Sequence, residues 1–240
     1  MPRHMPKSKY AEVSFASWDA LWGDALVSNE EGAACDVETP PITVDNVVAT
    51  FKLCEQIDLE ACARQLYFLE YNCSKFTAAT LRLLHPATTA LTFASGSVVC
   101  TGAKSVELAR AAATVYVEIF KAVIPAACCN GFKIQNLVGS AKCPFAVDLA
   151  GILRAFSANA TFVIDIFPGL VFRFDNPRIV FLVFRSGSVV ITGARTMETV
   201  RNMFEQFFKH VLHPFKDTSE NAHVTNSSEY KTILTKRKRF

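Results

Sequence analysis

The sequence predicts an α+β fold made from two copies of one unit, each ordered β-α-β-β-β-β-α. Three observations predict it. The first is a single internal repeat at a spacing of 90 to 91 residues: SGSVVCTGA at 95–103 returns as SGSVVITGA at 186–194, with eight of nine positions identical. The second is a set of short runs in which apolar residues alternate with period 2, the mark of half-buried strands. The third is a longer apolar stripe at helical spacing that closes each copy. Only two copies occur and each is long, which argues for a fused double domain rather than a solenoid.

The first 45 residues carry three basic and eight acidic side chains, a net of −5. They form an acidic segment, 1–45, expected to be flexible. Phe15, Trp18 and Trp22 fall near helical spacing within it. Two readings stay open: a segment that docks on a partner or on the chain's own basic face, or a short packed helix or tail.

The first copy, 46–132, opens on a strand over 44–52, and the second, 133–215, on a strand over 133–142. Asn46-Val47-Val48 returns there as Asn136-Leu137-Val138. A short helix follows in each. Leu59, Cys62, Ala63 and Leu66 share one helical face, as do Leu149, Ile152, Leu153 and Phe156, and Asp58 and Asp148 suit the first turn or the cap. Next come the alternating strands. Phe76, Arg82, Pro86, Leu91 and Phe93 return as Phe167, Arg173, Pro177, Leu182 and Phe184. Leu91 and Phe93 share a face with Val99 and Thr101 across a Ser-Gly-Ser hairpin, and Leu182 and Phe184 do so with Val190 and Thr192.

The closing helices are expected to bury Leu108, Ala111, Ala112, Val115 and Ile119 in the first copy, and Val200, Phe204, Phe207, Phe208 and Val211 in the second. Ala113 and Thr114 then belong to the outward face. The tail 216–240 turns polar and ends Lys236-Arg237-Lys238-Arg239-Phe240, a cluster that reads as a nuclear-localisation or phosphate-binding tail or as a solvated end.

Composition narrows the function classes. No apolar run approaches the length of about 18 residues that spans a bilayer, and no apolar stretch follows the basic start, so neither a membrane anchor nor a secretory signal is expected. The eight cysteines form no C-x-x-C pair, which argues against zinc and for free thiols in a reducing compartment. No nucleophile elbow or phosphate loop is present, and His210 and His213 lie three apart with no motif partner. No enzyme, metal or cofactor is expected. Asn159-Ala160-Thr161 and Asn226-Ser227-Ser228 read as chance sequon matches.

The strand faces are more telling. An antiparallel sheet covered by helices on one side ordinarily shows polar residues on the other. Here the second face carries Val48, Leu91, Phe93, Val99, Val138, Leu182, Phe184 and Val190. Its polar groups are few and symmetric: Asn46 with Asn136, and Thr101 with Thr192. A large apolar face of this kind is a binding surface, and it also offers a site for self-association. Sparse polar groups among hydrophobes suit the DNA minor groove, whose floor at A·T pairs presents acceptors. Phe76, Phe93, Phe167 and Phe184 sit beside turns or strand ends, as inserting wedges do.

These residues carry a resemblance. FKIQNLVGS at 132–140, the two S-G-S-V-V-x-T-G-A runs, Glu70-Tyr71-Asn72 and Phe167-Pro168-Gly169-Leu170 resemble the core of the TATA-binding-protein family, over about 46–215. The resemblance implies a saddle: a ten-stranded curved antiparallel sheet, four helices on its convex face, and the concave face on the minor groove. The family is itself a standing example of duplex kinking by inserted side chains, so the resemblance implies a bend as well. Carried over residue by residue, the wedges are Phe76, Phe93, Phe167 and Phe184, with Pro168 beside the third. The groove contacts are Asn46, Asn136, Val48, Val138, Val99, Val190, Thr101, Thr192, Leu91 and Leu182. The phosphate-side cations are Arg82, Lys104, Arg173, Arg178 and Arg195.

The family also implies nuclear location and partners: double-stranded DNA, general transcription factors of the TFIIA and TFIIB type, and polymerase-associated factors. Two departures stand out. The lysine that usually follows Ser-Gly in each hairpin is Ser97 in one and Ser188 in the other. The first closing helix, usually rich in Lys and Arg, holds only Arg110 and Lys121 between Ser105 and Ala122. The chain therefore resembles a divergent member whose preference for A·T-rich DNA is either kept or relaxed. The alternative is a scaffold of the same fold, recruited through protein partners.

Overall fold

The computed structural model describes residues 38–217. The aromatic segment around Trp18 and the basic cluster at 236–239 lie outside the described residues. Within them, one curved antiparallel sheet of nine strands carries four helices. The first copy supplies β1 (Thr43–Lys52), α1 (Leu59–Gln65), β2 (Ala78–Leu84), β3 (Ala87–Phe93), β4 (Ser97–Ala103) and α2 (Val106–Lys121). The second supplies β5 (Asn130–Lys142), α3 (Leu149–Ala155), β6 (Ala160–Thr161), β7 (Leu170–Asp175), β8 (Arg178–Val183), β9 (Ser188–Ala194) and α4 (Met197–Phe207). A π-helical turn, Phe208–Leu212, continues α4.

The strand order is β2-β3-β4-β1-β5-β9-β8-β7-β6. The two copies therefore meet where β1 pairs with β5. Val47 faces Leu137 there, flanked by Asn46 opposite Val138 and Val48 opposite Asn136. That reciprocal register places the pseudo-twofold axis between these strands.

The sequence-based count was ten strands, and nine form in the described residues. Where the first copy should match β6, a single bridge joins Glu70 to Thr80, made by both reciprocal backbone hydrogen bonds. It stops there because the chain turns at once. Asn72 accepts from the Lys75 and Phe76 N–H groups through its carbonyl and from the Ser74 N–H through its side chain.

Side-chain caps start every helix where the sequence places a short oxygen. Asp58 accepts from Ala61 N, Ser105 from Leu108 N, Asp148 from Gly151 N and Thr196 from Thr199 N. Each satisfies one otherwise orphaned amide, an effect of about 1 kcal/mol. The Ser-Gly-Ser hairpins need glycine for a different reason. Gly96 and Gly187 have φ of 78° and 83°, and a Cβ would fall 1.8 Å from the Cys54 carbonyl oxygen or 2.3 Å from that of Phe145.

The helices pack on one face of the sheet: α2 on β4, β1 and β3, α4 on β9, α1 on β2 and α3 on β6. The second-copy stripe is buried as expected, from Val200 to Val211. Its centre is aromatic. Phe207 stacks on Phe181 at 4.1 Å between centroids, with Phe172 and Phe174 edge-on to it.

The first-copy stripe is rotated from its expected position. Ala109, Ala112, Ala113, Tyr116, Val117 and Phe120 are buried, while Leu108, Ala111 and Val115 are exposed. Two facts account for this. Ala and Val ring the whole helix, so apolar spacing alone cannot choose a face. Tyr116 then settles the matter: its ring is fully buried and its hydroxyl lies 2.9 Å from the buried Thr88 hydroxyl. Burial pushes the Tyr116 phenol up to about 12 and the neighbouring Cys100 thiol up to about 11.

Candidate nucleic-acid interface

The uncovered face of the sheet is built by alternation. Along β1 the residues Val47, Ala49 and Phe51 are buried under the helices, and Asn46, Val48, Thr50 and Lys52 point the other way, half-buried. β5 repeats this with Leu137, Gly139 and Ala141 buried, against Asn136, Val138, Ser140 and Lys142. Leu91 pairs with Val99 and Thr89 with Thr101 across β3 and β4, and Leu182 with Val190 and Val180 with Thr192 across β8 and β9. The predicted valines, leucines and threonines thus share one apolar surface, half-buried side by side and uncovered by any helix among the described residues.

At its centre sit two matched polar pairs. Asn46 Oδ1 accepts from the Gly102 N–H at 2.7 Å, and its Nδ2 lies 3.1 Å from Thr101 Oγ1. Asn136 does the same with the Gly193 N–H at 2.8 Å and Thr192 Oγ1 at 3.0 Å. A backbone N–H can meet only the amide oxygen, so it sets which way each amide faces. The NH₂ group has two hydrogens and the threonine can accept one. Each asparagine therefore keeps a donor for an acceptor on a ligand.

The wedge candidates flank this centre. Phe167 and Phe184 meet edge to face at 5.7 Å. They lie over Gly169, where a Cβ would come within 2.7 Å of the Phe167 ring and 3.1 Å of the Phe184 ring. Glycine there lets the pair settle onto the backbone. Pro168, between Phe167 and Gly169, is exposed. In the first copy Phe76 is 48% exposed, and Phe93 is half-buried at the end of β3, opposite Ala78.

The cations are less uniform. Arg173, Arg178 and Arg195 are exposed and make no ion pair among the described residues. Arg82 is held 2.6 Å from Glu70. Its twofold mate Arg173 lacks that partner because Thr161 stands in the place of Glu70. Lys104 Nζ donates to the Asp45 carbonyl at 2.6 Å.

A family model described as transcription factor TFIID, or TATA-binding protein, matches residues 41–123 and 131–213. The chain belongs to the TATA-binding-protein family. It is 42% identical over 178 residues to TATA-box-binding protein 2 of Arabidopsis thaliana, covering 74% of this chain and 88% of that protein. To the TATA-box-binding protein of Caenorhabditis elegans it is 40% identical over 204 residues, covering 82% and 60%. Among solved structures, Methanococcus jannaschii TBP matches with a TM-score of 0.63 at 36% identity, covering 71% of this chain and 97% of that one. The chain is thus a transcription factor of this family's type.

Sequence reasoning missed several residues on or beside the open face, Thr50, Gln135, Lys52 and Lys142 among them. Gln135 occupies a bulge in the β1–β5 ladder and donates to Thr50 at 2.8 Å. Lys52 and Lys142 end the two central rows. The signal for Thr50 and the lysines was present, because the alternation that starts at each asparagine runs on to them. Gln135 breaks that alternation, and only the strand register reveals its partner. His213, weighed for a metal, instead packs its ring against Phe145 and Phe208. Asn159, in the sequon match, spends its amide on the Arg173 carbonyl.

Proposed function

We propose that this chain binds promoter DNA in the minor groove, bends it and nucleates transcription pre-initiation complexes in the nucleus. The observation that carries the reading is the open face itself. It is apolar along its length, and its centre holds two asparagine–threonine pairs in twofold register with donors to spare. A·T pairs expose acceptors in the minor groove, and the amino group of guanine would oppose such donors. The phenylalanines beside the two ends would wedge between base steps, at an unstacking cost of a few kcal/mol per step that the added contact offsets. Arg82, Lys104, Arg173, Arg178 and Arg195 would position the backbone without reading sequence. The repeats, 46–132 and 133–215, would each grip one half of the site. General transcription factors of the TFIIA and TFIIB type and polymerase-associated factors would bind the outer surface.

A gel shift with A·T-rich and G·C-rich duplexes at two salt concentrations tests this. Tighter, bent complexes with the A·T-rich duplex are expected. Equal, weak binding to both would instead favour a scaffold recruited by protein partners. The exposed Leu108, Ala111 and Val115 on α2 favour that second reading, since they leave an apolar stripe on the outside.

A further inference from the structure

We propose that Lys52 and Lys142 are phosphate-binding cations of this interface, replacing from across the strand ladder the lysines that both hairpins lack. This rests on the DNA-binding reading above. Each row of open-face residues starts at an asparagine beside the pseudo-twofold axis and ends, six residues later, in a lysine: Asn46, Val48, Thr50, Lys52 and Asn136, Val138, Ser140, Lys142. β1 and β5 run antiparallel, so the two ammonium groups sit at opposite ends of the central ladder.

The register puts each lysine beside the empty hairpin position. Lys52 is directly opposite Ser97, and Lys142 is directly opposite Ser188. Directly opposed Cβ atoms lie about 4.5–5.5 Å apart on the same face of a sheet. A lysine stem is long enough to carry its charge over that gap. In the second copy it does so: Lys142 Nζ donates to the Ser186 carbonyl and lies 3.2 Å from Ser188 Oγ. The cation is therefore held at the hairpin tip itself. Serine opposite is small and neutral, so it makes room for the ammonium and does not repel it.

In the first copy Lys52 Nζ contacts Glu55 at 2.5 Å. That carboxylate is 91% exposed. Exposed pairs of this kind contribute only about 0–1 kcal/mol, so a phosphate can displace it. The two halves thus differ: Lys142 is poised, and Lys52 must exchange one anion for another.

The test is the salt dependence of duplex binding. Each phosphate contact adds about −0.9 to the slope of log affinity against log salt. The Lys52→Gln, Lys142→Gln double variant should bind an A·T-rich duplex more weakly, with a slope shallower by up to about two units. Its preference for A·T over G·C should hold, because phosphate contacts carry no sequence information. Lys52→Arg with Lys142→Arg should keep the slope. A quadruple variant that moves each cation across the ladder, Lys52→Ser, Ser97→Lys, Lys142→Ser and Ser188→Lys, should restore it. An unchanged slope in the glutamine variant, with the wild type binding normally, overturns the assignment and leaves the DNA reading standing. Failure of the quadruple variant to recover any slope also counts against it. Absence of duplex binding by the wild-type chain at every salt concentration overturns both.

Discussion

At the scale of single residues, the interface depends on side chains whose orientation is set by the backbone. Asn136 is the clearest case. Its oxygen is committed to Gly193 and one hydrogen of its NH₂ group to Thr192, which leaves the second hydrogen for an acceptor in the proposed DNA complex. Asn136→Asp keeps the acceptor and removes the donors. Duplex affinity should fall by about 1–3 kcal/mol, the scale of one specific base contact. Melting temperature should change little, because the Gly193 N–H keeps its partner. Titration of an A·T-rich duplex beside a thermal melt checks both. Phe167 and Phe184 carry a second prediction. Replacing both with Ala should reduce the bend angle while the fold survives, since neither ring belongs to the buried core. Fluorescence transfer between labelled duplex ends reads the angle, and an unchanged bend would reassign the wedges.

At the scale of elements, α2 separates two roles that its composition blurs. Ala113 is fully buried against the sheet, whereas Ala111 and Thr114 are exposed. Ala113→Arg buries an unpaired charge and should unfold the protein. Ala111→Arg with Thr114→Arg should leave stability within about 0.5 kcal/mol, as surface changes usually do. If this helix is a docking face for transcription partners, the same double variant should lose one of them in a pull-down. Retention of every partner would remove α2 from the interaction map. The two closing helices also pack by different means. α2 buries three alanines, Ala109, Ala112 and Ala113, beside Tyr116 and Phe120, whereas α4 buries Val200, Met203, Phe204 and Phe207. Phe207→Ala should therefore cost about 3–5 kcal/mol, since it empties the middle of an aromatic stack. Denaturant melts measure this directly.

At the scale of the whole molecule, one continuous sheet should make the halves unfold as a single cooperative unit. The β1–β5 ladder joins them through backbone hydrogen bonds on both sides of the axis. Buried thiols report on each half. Cys100 in the first and Cys143 in the second are both pushed up to about 11 by burial, so their reactive thiolate is scarce at pH 8. Cys73, Cys128 and Cys129 are exposed. A thiol reagent should label these three among the described cysteines in the native protein, Cys129 more slowly because burial raises its thiol pKa. Cys100 and Cys143 should become reactive together, at the same denaturant midpoint. Separate midpoints would mean that the copies unfold independently.

Much of this is legible in the amino-acid sequence alone. The repeat announced two matched units, the 2.0 and 3.6 periods separated strands from helices, and short capping oxygens marked the helix starts. Those features are local: they depend on spacing along the chain and on backbone chemistry that any short segment obeys. The asparagines, threonines, valines and phenylalanines of the open face were legible for the same reason, helped by their recurrence. The tertiary structure decided what depends on residues far apart in sequence. It turned α2 by burying Tyr116 against Thr88 and left the tenth strand as one bridge where Asn72 turns the chain. It tied Asn46 to Thr101 and Asn136 to Thr192, and set Lys52 beside Ser97 and Lys142 beside Ser188. Each of these rests on strand register or on helix rotation. Register and rotation are fixed by packing between distant segments, and no local period in the chain encodes them.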